Sequence, residues 1–269
     1  SLRSKDALLE ALHAELKTRV SYLEEQSIET IYLGGGTPSL LSTDELQRLF
    51  ETIHRHYLVA ANAEVTLEAN PDDLTYLKIL ELRRTPVNRL SIGIQSFRDE
   101  DLRWMNRAHS SSQADYSVKC AQDRGFENIT IDLIYSIPGM GLNDWQHNIQ
   151  KAIDLQVQHV SAYSLTIEPK TVLGNQYAKG EMQLAPDSAG EEQFLSLVHL
   201  LKRADFEQYE VSNFCRPGMH SRHNSSYWKG AHYLGIGPSA HSFNGNTRQW
   251  NVANNAQYIA GITGGTPNF

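Results

Sequence analysis

Five short apolar runs, each separated from the next by helical sequence, constrain this chain more than any other feature. The runs cover residues 30–33, 64–69, 89–95, 128–135 and 159–167. Helical patterns cover residues 4–25, 43–57, a stretch opening near 71–73, a short piece at 99–105, and then 113–124 and 143–155. Leu8, Leu12, Leu16, Val20 and Leu23 set the spacing of the first of these. Strand and helix in alternation predict right-handed βαβ crossovers, hence a parallel sheet or barrel of the α/β class. In such folds the working residues gather at the carboxyl ends of the strands. Polar residues stand there: glycines 34–36 after the first run, Glu68 and Asn70 at the second, Gln95 at the third, Asp132 within the fourth, and Thr166 and Glu168 at the fifth.

The first run leads into GGGTP at residues 34–38, where bare backbone can lie against a small ligand. Ser42 or Thr43 then caps a helix whose first turn carries Asp44 and Glu45, the charge preferred at that end of the dipole. No Lys-Ser/Thr pair follows and the spacing is not GxGxxG, so the nucleotide-loop motifs do not apply.

With 40% hydrophobic residues among 269, the chain can bury a large core. A net charge of −7 without any basic run argues against nucleic-acid binding. Only Cys120 and Cys215 are present, which fits a reducing, cytoplasmic compartment. No apolar stretch reaches the roughly 20 residues of a membrane span. After Pro169 the pattern reads as a loop through Gly174, Gly180 and Pro186, then a helix over 189–203, then a segment rich in aromatics with His220, His223, His232 and His241. The final residues, GITGGTPNF, read as a loop.

Five motifs in order, GGGTP at 34–38, TLEANP at 66–71, RLSIGIQSF at 89–97, IDLIYSIPG at 131–139 and SAYSLTIEP at 161–169, resemble the radical S-adenosylmethionine proteins of the HemN and HemW group. QYEVSNF at 208–214 and HNSSYW at 223–228 look like the HemW side of that group. The resemblance implies an incomplete parallel (β/α)6 barrel with a C-terminal α+β extension, the barrel core over residues 1–169 and the last elements over 170–269. It implies S-adenosylmethionine contacts from Gly35, Gly36, Thr37, Glu68, Gln95, Arg107, Asp132 and Thr166. It also implies heme contacts from His223, Tyr227 and Trp228, and a [4Fe-4S] cluster in a longer form, held by a CxxxCxxC loop expected upstream of Ser1. The implied activity is heme binding and transfer to an acceptor protein. Oxidative decarboxylation of coproporphyrinogen III is the alternative within the group, and an ordinary barrel enzyme with a glycine-rich ligand loop is the alternative outside it.

Overall fold

A computed structural model describes residues 4–24, 26–169 and 171–266. They form two compact units, one from the described parts of 1–32, 41–64 and 221–269, the other from 33–40 and 65–220. The sheet runs in the order β1-β2-β3-β4-β5-β7-β6, where the strands are β1 Ile28–Leu33, β2 Val59–Ala69, β3 Arg89–Gln95, β4 Ile129–Tyr135, β5 His159–Ser164, β6 Glu207–Gln208 and β7 Asn213–Cys215. β2 to β5 pair in parallel, and β7 then joins β5 antiparallel, with β6 antiparallel to β7. The α/β class and the parallel run are as the alternation predicts. At the sheet edge β7 stands antiparallel between β5 and β6, so that β6 runs in the direction of β5.

In the second unit the two sides of the sheet differ in chemistry because strand residues alternate between faces. Leu67, Leu90, Ile92, Ile94, Ile129, Ile131, Leu133, Val160 and Phe214 are all buried and form the apolar side. Helices α6 (Leu142–Asp154) and α8 (Asp187–Arg203) pack on β4, with Trp145 buried and its Nε1 donating to the Gln193 carbonyl at 2.8 Å. The other side is polar. Register places Glu68, Ser91, Thr130, His159 and Cys215 in one row across β2, β3, β4, β5 and β7, and Asp132, Ser161 and Asn213 in the next.

The remaining helices are α1 (Lys5–Thr18), α2 (Thr43–His56), α3 (Tyr76–Leu82), α4 (Asp99–Trp104), α5 (Ser111–Asp123), α7 (Val172–Ala178), α9 (Arg222–Trp228) and α10 (Asn255–Thr263). A small hairpin, β8 (His241–Phe243) with β9 (Arg248–Trp250), completes the described residues. α2 opens with a capping box: Ser42 Oγ accepts from the Glu45 amide, and the Glu45 carboxylate accepts from the Ser42 amide at 2.7 Å.

Several boundaries differ from the sequence expectations, each for a local reason. α1 ends at Thr18, whose hydroxyl bonds back to the Ala14 and Glu15 carbonyls; a 3-10 turn at Val20–Leu23 follows, and the expected end at Glu25 lies outside the described residues. α3 opens four residues late. The Asp73 carboxylate is taken by Ser39 Oγ at 2.7 Å, which leaves Thr75 as the cap. β5 stops at Ser164, short of residue 167.

α7 occupies sequence expected to be loop. Its Gly174 fills no turn; an added Cβ would lie 2.3 Å from the Glu168 carbonyl oxygen, so the glycine serves close approach inside a helix capped by Thr171. α10 likewise extends through Gly261 to Thr263, where a loop was expected, because Asn254 caps it and Tyr258 anchors it in the core. Pro267 to Phe269 of that expected loop lie outside the described residues.

Candidate functional site

In the second unit the carboxyl ends of β2, β3 and β4 gather a set of polar side chains. The glycine loop comes first. Gly34, Gly35 and Gly36 are exposed, Gly35 adopts φ +76°, and nothing lies within 4 Å of where a Cβ would stand on Gly35 or Gly36. The Gly35 amide donates to Glu68 Oε2 at 3.2 Å. Thr37, half-buried, closes the loop by accepting the Leu40 amide on its carbonyl at 3.0 Å.

Arg107, from the loop between α4 and α5, reaches back over β2 and β3. Its Nη2 donates to Asn70 Oδ1 at 3.0 Å and to the Gly93 carbonyl at 3.4 Å. Gln95 ends β3 at φ +67°, in the left-handed region, at the point where the β3–β4 register shifts. Gly93 leaves room for both side chains: a Cβ there would lie 2.9 Å from Gln95 Nε2 and 3.4 Å from Arg107 Nη2.

Asp132 is half-buried on β4, two residues above Thr130 on the polar face. Loss of hydration, reinforced by the Glu68 carboxylate, pushes its pKa up to about 7, against the opposing effects of Ser161, Arg89 and Arg107. Two carboxylates, one guanidinium and a loop of accessible backbone amides form a donor and acceptor set matched to a zwitterion that also carries a further positive charge. A ligand cation near Glu68 and Asp132 would offset both the lost hydration and the Glu68 repulsion that raise the Asp132 pKa.

Thr166 stands apart in its contacts. It is exposed two residues past β5, and its hydroxyl donates to the Ser164 carbonyl at 3.4 Å. The tail of the third motif is structural: Ser96 Oγ donates to Asp101 at 2.6 Å, and Asn148 Oδ1 accepts the Phe97 amide at 2.8 Å, all buried.

The HNSSYW box lies in the first unit as α9. The His223 ring stacks on Tyr32 at 4.8 Å, its Nδ1 lies 2.9 Å from Thr30 Oγ1, and its Nε2 lies 3.1 Å from the Tyr227 hydroxyl. Ring contacts continue from Tyr227 to Tyr233 and on to Phe243 and His232. Trp228 is 79% exposed and Tyr227 47%. Glu64, buried on β2, accepts both the Arg222 and the His223 amides at 3.0 Å and so satisfies the helix start.

Gly93, Asn70 and Glu64 escaped the assignment of site residues from sequence. Asn70 carried a signal in its position after a strand end. Gly93 and Glu64 sit inside strands, where only the neighbours brought in by folding give them a role.

The strand-end loop and the α/β sheet define a radical SAM protein, and the family model described as the Radical SAM superfamily matches residues 8–152. Curated relatives include the heme chaperone HemW of Bacillus subtilis, 38% identical over 94% of this chain and 67% of its own length, and HemW of Escherichia coli, 36% identical over 88% of this chain and 61% of its own. The chain belongs to the HemW family and spans about two thirds of the length of these relatives. Among solved structures, coproporphyrinogen III oxidase (HemN) from Escherichia coli, described as a radical SAM enzyme, superposes with a TM-score of 0.84 over 97% of this chain and 63% of its own, at 22% identity. That likeness establishes the fold.

Proposed function

We propose that this chain is the greater part of a heme chaperone that binds S-adenosylmethionine at the strand ends of the second unit, binds heme at the HNSSYW helix, and passes heme to an acceptor protein. The observation that carries this reading is the coincidence of 38% identity to a HemW over nearly the whole chain with an α9 helix that exposes Trp228 and Tyr227. Flat aromatic surface of this kind suits a porphyrin face. At 22% identity the HemN likeness does not favour oxidase chemistry over the chaperone reading.

In this reading Glu68 and Asp132 would accept from the cofactor's amino group, Arg107 would hold its carboxylate, and Gly35, Gly36 and Thr37 would offer backbone to the amino-acid end. Gln95 and Thr166 complete the contacts. S-adenosylmethionine supplies a sulfonium whose reductive cleavage requires an adjacent [4Fe-4S] cluster. The residues of this chain do not fit the cluster, since Cys120 is buried in α5 and Cys215 in β7, so no cleavage step is assigned to them. Arg107 orients the ligand, and the buried side of the sheet holds Glu68 and Asp132 in place.

His223 is the proposed heme ligand, with Nε2 exchanging the Tyr227 hydroxyl for iron. Among the described residues no helix is long and apolar enough to cross a membrane, and a cytoplasmic site of action is part of the proposal. The test is hemin titration followed by the Soret band. Wild type should saturate at one equivalent, and Trp228→Ala and His223→Ala should each weaken binding about tenfold or more, equivalent to ~1.4 kcal/mol. Unchanged spectra and affinity in both folded variants would move the heme elsewhere.

A further inference from the structure

The edge hairpin of the sheet carries a second cluster of ligating groups that the proposed function does not use. β6 contributes Glu207, β7 contributes Cys215, and the turn after β7 returns His220; one ligand atom from each lies within 4.8 Å of those of the other two. His220 Nε2 is 3.9 Å from Glu207 Oε2. The sequence spacing is Cys-x4-His, and Gly218 at φ +78° supplies the left-handed turn that brings the imidazole back over the thiol.

We propose that Glu207, Cys215 and His220 bind a single divalent cation of the zinc or cobalt class through one sulfur, one nitrogen and one oxygen, with the remaining coordination position open to solvent. Thiolate, imidazole and carboxylate together are the donor set of borderline-soft, four-coordinate ions, whereas magnesium or calcium would call for oxygen alone. Ligand atoms about 2.0–2.3 Å from a tetrahedral centre lie about 3.3–3.8 Å from each other, so the donors, 3.9 Å apart for His220 and Glu207 and within 4.8 Å throughout, close onto such an ion by a small shift of the two exposed side chains. A porphyrin iron is a poorer match. It leaves only its two axial positions, on opposite faces of the ring, and three donors converging on one point cannot share them.

The surroundings support the assignment. Cys215 is fully buried and rigid in the strand, while the side chains of His220 and Glu207 are 41% and 54% exposed, so the cation has a path from solvent. Tyr209 packs edge-on against the His220 ring at 4.8 Å, and its hydroxyl lies 2.7 Å from His159 Nε2, which fixes the imidazole from behind. Coordination replaces the S–H bond with a metal–sulfur bond and releases the proton to solvent, with no change in oxidation state.

The experiment is titration of the purified chain with Co2+, followed by absorption. A thiolate ligand gives a sulfur-to-cobalt charge-transfer band in the near ultraviolet, saturating at one equivalent and lost when one equivalent of Zn2+ displaces the cobalt. Cys215→Ser should abolish the band. Glu207→Gln and His220→Ala, both at accessible positions and expected to leave the fold intact by circular dichroism, should each weaken Co2+ binding tenfold or more. Absence of the band in wild type, its persistence in Cys215→Ser, or unchanged affinity in folded His220→Ala would each overturn the site.

Discussion

Asp132 shows most plainly how one residue joins stability to binding. An ordinary aspartate titrates at about 3.9, but burial beside Glu68 raises this one to about 7. The folded state therefore holds a proton that the unfolded chain has released between those values. Stability from this group is fully present below the unfolded value and is lost as pH rises through about 7. Wild type should accordingly lose melting temperature between pH 5 and pH 8 relative to Asp132→Asn, which has no proton to lose; parallel pH profiles for the two proteins would refute the shift. For the ligand the sign reverses. A cationic ligand group favours the ionised aspartate, so Asp132→Ala or Glu68→Ala should cost about 1.5–3 kcal/mol of S-adenosylmethionine binding, measured by calorimetry. Gly93 acts at the same scale without touching the ligand. Its Cβ would press on Gln95 Nε2 at 2.9 Å, so Gly93→Ala should weaken S-adenosylmethionine binding while leaving the circular dichroism spectrum intact.

At the scale of elements, α9 depends on a partner remote in sequence. A seven-residue helix cannot hold itself in water, and this one starts on the Glu64 carboxylate, with Arg222 further bonded to the Asn62 carbonyl and to Glu29. Glu64→Ala strips an acceptor from two amides at once and should lower unfolding stability by about 2 kcal/mol, with the larger loss of hydrogen-exchange protection in residues 222–228. Urea unfolding with exchange mass spectrometry reads both. What could be read from the sequence follows the same physics. The βαβ core was legible because β3 and β4 carry apolar residues at alternate positions and α2 carries a capping box, all local signals. Glu68 and Gln95 were legible as polar residues at strand ends, and Asp132 as a carboxylate within an otherwise apolar run. α7 and α10 were not, since Gly174 and Gly261 read as breakers until tertiary contacts decide otherwise. The ring contacts of His223 with Tyr32, and the carboxylate Glu64 beneath it, join residues more than 150 positions apart, and no periodicity reports them.

At the scale of the whole chain, the first unit is assembled from three separated segments, and a single carboxylate closes it. Glu15 on α1 is fully buried. It accepts the Gly237 amide at 2.9 Å, Asn251 Nδ2 at 2.8 Å and the Tyr258 hydroxyl at 2.6 Å, and it pairs with the buried Arg19 at 3.5 Å. Arg19 in turn donates to Gln249 at 2.9 Å, so the beginning of the chain is fastened to the β8–β9 hairpin and to α10 through one polar knot. A buried ion pair of this kind adds little relative to an apolar pair of the same shape, but losing one member strands the other. Glu15→Ala removes the acceptor of the Gly237 amide and the Tyr258 hydroxyl, one acceptor of the Asn251 side-chain amide and the anionic partner of Arg19, and should cost about 3–5 kcal/mol of stability. Glu15→Gln keeps the volume and an acceptor oxygen and should cost less. The check is chemical denaturation of both variants, read by tryptophan fluorescence and by limited proteolysis. If the network closes the unit, Glu15→Ala should expose cleavage sites within residues 237–263 at denaturant concentrations where wild type is intact, and equal stability of Glu15→Ala and wild type would reduce the knot to a bystander.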